Sequence, residues 1–137
     1  EEQYRLETQY PLAEWGSDIT VPCHLSPEIS AVDMEIKWLK QTDCVCLYKN
    51  RQMFEGRGYK GRLSLFTEEL DGGNVSLQLR DFRRSDVGVY LCQVTSTDRT
   101  EEITIRVVCE YFIISFCTVL SQHTPFLTIC ENISIHN

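Results

Sequence analysis

The sequence has little positive charge, and its basic residues form no stripe. Thirteen Lys and Arg side chains stand against twenty Asp and Glu, which gives a formal net charge of −7. A protein that binds nucleic acid needs clustered Lys and Arg to neutralise phosphates and release their counterions. The one basic doublet, Arg83-Arg84, is interpreted as part of a solvated turn. A nucleic-acid partner is therefore not expected.

The chain also lacks the spacings of a metal site or a catalytic site. It has no Cys-x-x-Cys pair, and its three histidines, His24, His123 and His136, are widely separated. It has no glycine-rich phosphate loop, and only His24 lies in the region that we assign to the folded domain. Nucleophilic catalysis would need a base beside a hydroxyl or thiol. We predict a protein that is not an enzyme and that uses no metal, no cofactor and no small-molecule substrate.

No apolar run is long enough to cross a bilayer. The longest candidate, Tyr111–Leu120, has ten residues, and no Lys or Arg follows it as a cytoplasmic anchor. We therefore expect residues 108–137 to form a tail that is not a transmembrane helix. Three interpretations of this tail stay open: a further β-segment, a disordered extension, or sequence from an alternative transcript. Residues 1–107 are predicted to form one domain.

Cysteine, in contrast, is abundant, with seven in 137 residues. Without metal-binding spacings, this number indicates disulfides and an oxidising compartment. Two Asn-x-Ser sequons begin at Asn74 and Asn132 and are typical of surface loops in secreted proteins. We predict an extracellular chain, either secreted or part of a plasma-membrane ectodomain, with glycosylation at Asn74 and Asn132.

Alternating apolar and polar residues indicate β-strands separated by turns. The pattern is clearest in "DITVPC" (18–23), "MEIKWL" (34–39) and "VGVYLCQV" (87–94). The run Asp71-Gly72-Gly73-Asn74 is a hairpin signal between two such strands. No stretch has twelve residues with clear helical periodicity. We predict an all-β fold with seven to nine strands.

Four residues stand at spacings typical of an immunoglobulin-like sandwich. Trp38 follows Cys23 by fifteen residues, and Tyr90 precedes Cys92 by two. In that fold, the two cysteines link the sheets and the tryptophan packs against them, while the tyrosine stabilises a corner. The resemblance implies a Cys23–Cys92 disulfide and structural roles for Trp38 and Tyr90.

Longer blocks make the resemblance more specific. The segments "LSPEISAVDMEIKWLK" (25–40), "LYKNRQ" (47–52), "GYKGRLSL" (58–65) and "GGNVSLQLRDFRRSDVGVYLC" (72–92) resemble the variable-type immunoglobulin domain of the butyrophilin and myelin oligodendrocyte glycoprotein family. The resemblance covers about residues 12–107. It implies an immunoglobulin-like V-type β-sandwich of two antiparallel sheets, followed by an unassigned C-terminal tail.

Arg62 and Asp86 form a second predicted structural pair. Asp86 lies on the same strand face as Tyr90 and Cys92, and Arg62 begins the strand "RLSLF" (62–66). We expect the guanidinium and the carboxylate to meet across the bottom of the sandwich, where a bidentate pair fixes geometry.

The outer face of the GFCC′ sheet, the layer that holds Trp38 and Cys92, is the predicted binding surface. If Trp38 and Cys92 point into the core, their strand neighbours point outward. We interpret Leu47 as inward, which sends Cys46 and Tyr48 outward. The predicted partner-binding residues are Lys37, Leu39, Tyr48, Val89, Leu91, Gln93, Asp98, Arg99 and Glu101. The alternative is that these are ordinary exposed residues, or that loops or the tail cover them.

The other cysteines predict an unpaired thiol. Five remain after Cys23 and Cys92, namely Cys44, Cys46, Cys109, Cys117 and Cys130. An odd number cannot all pair within one chain. Cys44 and Cys46 are the candidates for an intermolecular bond, although each could instead pair with a tail cysteine. A disulfide-linked homodimer is therefore one expected arrangement.

The family resemblance implies recognition of another protein, a receptor or counter-receptor on another cell. The first expectation is a butyrophilin-like domain that modulates T cells or immune signalling through its GFCC′ face. The alternative is a homophilic cell-adhesion module similar to the myelin glycoproteins. The polar loops "SPEISAVD" (26–33) and "TSTDRT" (95–100) are expected to add selectivity.

Overall fold

The strands form a two-layered β-sandwich, which confirms the predicted fold class. The computed structural model describes residues 3–9 and 11–109. The strands in these residues are β1 (Arg5–Glu7), β2 (Leu12–Ala13), β3 (Ile19–Val21), β4 (His24–Ser26), β5 (Glu35–Lys40), β6 (Asp43–Lys49), β7 (Gln52–Glu55), β8 (Leu63–Leu65), β9 (Leu77–Leu79), β10 (Gly88–Thr95) and β11 (Thr100–Cys109). Short 3₁₀ helices cover Thr67–Gly72 and Arg84–Asp86.

The larger layer is a six-stranded sheet with the order β2-β11-β10-β5-β6-β7, called the front sheet below. Its strands are antiparallel except for the parallel pair β11 and β2. The second layer consists of the sheet β3-β9-β8 and the two-stranded sheet β1-β4. The chain passes directly from β3 through Pro22 and Cys23 into β4.

The core forms because alternate residues of each strand point between the layers. In β10, Tyr90, Cys92 and Val94 are fully buried, and Trp38 is fully buried in the neighbouring strand β5. The Trp38 indole Nε1–H donates a hydrogen bond to the Val75 carbonyl, 3.0 Å away, and this bond joins the two layers. A buried tryptophan needs such a partner for its polar N–H group.

Cys23 and Cys92 lie opposite each other in this core. Both are fully buried. Burial, reinforced by the neighbouring Cys23, raises the pKa of the Cys92 thiol well above its ordinary value. The Cys23–Cys92 disulfide stays a prediction.

Strand β6 departs from simple alternation, which makes one prediction wrong. Cys46 pairs with Trp38, whereas Cys44 pairs with Leu39, so Val45 is an extra residue that forms a β-bulge. A one-residue shift turns every later side chain to the other face. Cys46 is therefore buried beside Trp38 and not outward, and Leu47 takes the outward position.

The connection between β8 and β9 is longer than the predicted hairpin turn. The two strands are antiparallel neighbours with Leu65 opposite Leu77, but the 3₁₀ helix Thr67–Gly72 lies between them. Gly73 ends that helix with a φ of 88°, a left-handed conformation that glycine adopts without steric cost. The run Asp71–Asn74 is thus the end of a helical turn and not a tight hairpin loop.

Arg62 and Asp86 meet at the bottom of the sandwich. The Arg62 Nη1–H and Nη2–H groups donate to the two Asp86 carboxylate oxygens over 3.2 and 2.5 Å. The hydrogen bond to Asp86 raises the pKa of Arg62. The Tyr90 hydroxyl donates to the Asp86 carbonyl over 2.6 Å, and burial raises the pKa of that hydroxyl. Arg62, Asp86 and Tyr90 therefore form one cluster, which fixes both the start of β8 and the corner before β10.

The last strand continues to Cys109, two residues beyond the division that we placed after residue 107. Cys109 is buried opposite Ala13 of β2. The predictions for the tail, including those for Cys117, Cys130 and Asn132, lie outside the described residues. Among residues 3–9 and 11–109, no helix has the length and apolar character needed to span a bilayer.

Candidate functional site

The candidate site is the outer surface of the front sheet, called the front face below. Residues directly opposite each other on paired strands point to the same side of a sheet. One row across the strands runs through Thr104, Leu91, Leu39 and Cys44. The next row runs through Glu102, Gln93, Lys37, Leu47 and Phe54.

The centre of the front face is apolar. Phe54 on the edge strand β7 is 53 % exposed, and Val89 on β10 is 40 % exposed. Leu39, Leu47 and Leu91 lie between them and are half-buried. Scattered exposed apolar residues are normal, but these five share one face of one sheet. Their arrangement provides the aliphatic and aromatic centre of a protein interface.

Polar side chains border this centre on the same face. The Gln93 side-chain amide donates to the Glu102 carboxylate over 2.8 Å, and Lys37 lies directly opposite Gln93 on the neighbouring strand. One row therefore carries both a negative and a positive group beside apolar side chains. Such a border is typical of the solvated rim of an interface.

Five of the nine predicted partner-binding residues lie on the front face: Lys37, Leu39, Val89, Leu91 and Gln93. Tyr48 does not, and its predicted outward position is wrong. It lies opposite the buried Ile36, is only 4 % exposed, and donates its hydroxyl proton to the Val32 carbonyl 2.8 Å away. The physical reason is the bulge at Val45.

Glu101 and Arg99 are also absent from the front face, contrary to prediction. Glu101 lies opposite the fully buried Val94, so it points to the inner side of the sheet. Arg99 forms an ion pair with Glu101 and lies over the ring of Tyr4. Asp98 is exposed in the loop between β10 and β11.

The sequence reasoning missed Leu47, Phe54 and Glu102 on the front face. For Glu102, the register of the long hairpin β10–β11 was the available signal, since Glu101 and Glu102 must point to opposite sides. Leu47 was missed because no local residue pattern in β6 indicates the β-bulge at Val45. Phe54 was missed because "QMFE" was not assigned to a strand of this sheet.

The two candidate intermolecular thiols occupy opposite environments. Cys44 is exposed on the front face, next to Leu39 on the neighbouring strand. Cys46 is fully buried, and burial raises the pKa of its thiol to about 12, with the nearby Cys44 adding to the effect. This burial disfavours an intermolecular bond at Cys46, so Cys44 is the better placed of the two candidates.

Asn74, the first predicted glycosylation site, lies away from the front face. It follows the 3₁₀ helix and forms an isolated bridge with His24 of β4. Its side-chain amide donates to the Glu69 carboxylate over 3.1 Å and is partly accessible. A glycan at Asn74 would therefore leave the front face open.

His24, the histidine considered for catalysis, is exposed on β4. Its Nε2 lies 3.2 Å from the Glu7 carboxylate, which Arg5 also contacts. The hydrogen bond from Arg5 lowers the pKa of Glu7, and His24 adds to the shift. Among the described residues, no three His, Cys, Asp or Glu side chains form a metal-binding group.

The sandwich and its residue pattern define the class of protein. The immunoglobulin V-set domain family matches residues 7–108, which is most of the chain. The chain belongs to this family.

Within the family, the chain is similar to butyrophilins and to myelin-oligodendrocyte glycoprotein, as the sequence blocks predicted. It is 34 % identical over 96 residues to butyrophilin-like protein 1 of Mus musculus, covering 66 % of this chain and 19 % of that protein. It is 30 % identical over 120 residues to myelin-oligodendrocyte glycoprotein of Macaca fascicularis, covering 82 % of this chain and 49 % of that protein. The chain thus spans about a fifth of the first relative and about half of the second.

Two solved structures have the same architecture. Bovine butyrophilin matches with a TM-score of 0.73 and 28 % identity, over 79 % of this chain and 55 % of that chain. The human B7-H4 IgV-like domain matches with a TM-score of 0.70 and 22 % identity, over 77 % of this chain and 96 % of that one. The second likeness supports the fold alone.

Proposed function

We propose that this V-set domain is an extracellular recognition module that modulates T cells or immune signalling by binding a protein receptor on another cell through its front face. Binding, and not catalysis, is the activity we assign to it. The observation that carries the proposal is the apolar centre formed by Leu39, Leu47, Phe54, Val89 and Leu91, with Lys37, Gln93 and Glu102 at its border.

The exposure of Val89 and Phe54 supports this assignment. Each leaves much of an apolar side chain in water, at roughly 25 cal/mol per Å² of apolar surface that a partner would bury. Interface energy concentrates in such central side chains when a polar border excludes water. The similarity to butyrophilins supports the immune role.

Homophilic adhesion is the second candidate, and the charge pattern of the front face favours it. Lys37 and Glu102 lie in one row on either side of Gln93. A second copy related by a two-fold axis would place opposite charges against each other, as a self-complementary interface requires. The similarity to myelin-oligodendrocyte glycoprotein fits this alternative.

Fluorescent tetramers of the domain test the proposal when they are applied to resting and activated T cells. Val89→Arg places a charge in the apolar centre, whereas Thr20→Arg makes a similar change at an exposed strand position of the opposite sheet. We expect wild type and Thr20→Arg to stain T cells equally and Val89→Arg to lose at least tenfold in staining. Equal staining by all three proteins would contradict the use of the front face.

Sedimentation velocity separates the two candidates. Reversible dimers that form with rising concentration and disappear in Val89→Arg would support adhesion. If the domain stays monomeric at all concentrations and its tetramers stain T cells, the result would support binding to a receptor on immune cells.

A further inference from the structure

The loop between β10 and β11 is closed at its base by its own contacts. The Ser96 N–H donates to the Arg99 carbonyl over 2.9 Å, and the Thr95 and Thr100 hydroxyl oxygens lie 3.0 Å apart. The loop follows directly from the front-sheet strand β10. The backbone of the loop is therefore held together at its base.

Arg99 at the end of this loop is held away from the front face. Its guanidinium pairs with the Glu101 carboxylate and lies 5.3 Å from the centre of the Tyr4 ring. A guanidinium over an aromatic face is attracted by the ring quadrupole, more strongly where water is partly excluded. Both charged side chains are less than one-third exposed, so water is partly excluded here.

Tyr4 touches the loop region from both sides. It precedes β1, and only 3 % of it is exposed. Its hydroxyl donates to the Val94 carbonyl over 3.1 Å, just before the loop, and its ring supports Arg99 at the end of the loop. One side chain from the start of the chain therefore contacts both strand β10 and the last residue of the loop, about ninety residues later in the sequence.

We propose that Tyr4 is a positioning residue that holds the loop Ser96–Arg99 in one conformation by contacting Val94 and Arg99 together. The N-terminal segment thereby controls which loop surface lies beside the front face. That the loop contacts a receptor rests on the proposed function. The positioning itself is a property of the domain alone.

Native-state hydrogen exchange measured by NMR tests this positioning without any partner. The reporter is the Ser96 amide, whose hydrogen bond to Arg99 breaks when the loop opens. Tyr4→Ala removes both contacts. Leu6→Ala is the matched control, because Leu6 lies in the adjacent strand β1, opposite Leu25, and is also buried in the core.

We expect the Ser96 amide to exchange about tenfold faster in Tyr4→Ala than in wild type, and at the wild-type rate in Leu6→Ala, when each rate is compared with that of the core amide of Cys92. Equal acceleration in both variants, or none in Tyr4→Ala, would overturn the proposal. These outcomes do not depend on whether T cells are stained.

Two milder variants keep the test decisive if Tyr4→Ala does not fold. Tyr4→Phe removes only the bond to Val94, and Arg99→Met removes the charge above the ring together with its ion pair to Glu101. Each should accelerate exchange at Ser96 by less than the full substitution, and the two effects should combine in the double variant. Wild-type exchange in both variants would overturn the proposal.

Discussion

Asp86 is the polar residue on which the bottom of the sandwich depends. Its carboxylate accepts hydrogen bonds from the Arg62 guanidinium and from the Arg83 N–H, while only 2 % of its side chain is exposed. The Arg62 side chain is 16 % exposed. Removing the carboxylate would leave this arginine charge largely buried without its partner, which is more costly than losing the pair itself.

We therefore expect Asp86→Ala to lower the free energy of unfolding by about 3–5 kcal/mol in urea denaturation. Arg51→Ala is the control, because Arg51 and Asp33 also form an Arg–Asp pair at 2.8 Å but with both side chains mostly in water. That variant should unfold at the wild-type midpoint. Similar losses in the two variants would show that burial does not decide the strength of these pairs.

Cys44 and Cys46 differ in their access to water, and a thiol reagent should distinguish them. At pH 8 we expect a maleimide to label Cys44 in the native protein and to label Cys46 only after denaturation, as read by peptide mass spectrometry. An intermolecular disulfide, if one forms, should disappear on a non-reducing gel with Cys44→Ser and persist with Cys46→Ser. Native labelling of Cys46 would contradict its burial.

The raised pKa of Cys46 also has a consequence for stability. Its thiol ionises near 9.0 when exposed but near 12 in the folded protein. The unfolded chain therefore loses this proton first, and the stability contributed by the protonated thiol declines as the pH rises between these values. The Cys46→Ala variant should lose less stability than the wild-type protein when the pH is raised from 9 to 11. An unchanged pH profile would contradict the shift.

At the scale of the element, strand β6 decides the composition of the front face. The bulge at Val45 places Leu47 outside and Tyr48 inside. Gly56 belongs to the same arrangement, because a Cβ atom there would lie 1.8 Å from the Cys44 carbonyl oxygen. The Gly56 N–H also donates to the Val45 carbonyl over 2.7 Å, so the bulge and the end of β7 fix each other.

This arrangement predicts opposite outcomes at neighbouring positions. Tyr48→Ala should destabilise the domain by roughly 3–5 kcal/mol, because it empties a core site and leaves the Val32 carbonyl unpaired. Leu47→Ser should leave the unfolding midpoint nearly unchanged and weaken partner binding. Thermal unfolding of both variants measures the difference. If Tyr48→Ala is stable and Leu47→Ser is unstable, β6 alternates regularly without the bulge, and the assignment of its faces is contradicted.

The strands that alternate regularly were predictable from the sequence, and the irregular ones were not. Cys92, Tyr90 and Trp38 point inward and Val89 points outward because β5 and β10 are long and uninterrupted. The faces of β6 were not predictable, since an inserted residue reverses them without changing composition. Arg99 lies over the Tyr4 ring, a contact between distant parts of the chain that local patterns do not contain.

At the scale of the whole molecule, the two layers meet around Cys23, Cys92 and Trp38. A disulfide between the two cysteines would close a loop of about seventy residues and restrict the unfolded chain by roughly 4 kcal/mol. We expect urea unfolding with and without a phosphine reductant to differ by about that amount. Identical curves, or a peptide map with free thiols at Cys23 and Cys92, would contradict the predicted bridge.

The central claim is that the front face contacts the partner. Hydroxyl-radical footprinting of the domain, free and bound to the T cells that its tetramers stain, tests this claim most directly. Phe54 is 53 % exposed on the front face, and Trp15 is 46 % exposed outside it, stacked on Phe82. Because both are reactive aromatic rings of similar exposure, each serves as the reference for the other. The account predicts that binding protects Phe54 and Val89 from oxidation and leaves Trp15 unchanged. Protection of Trp15 with undiminished oxidation of Phe54 and Val89 would contradict it.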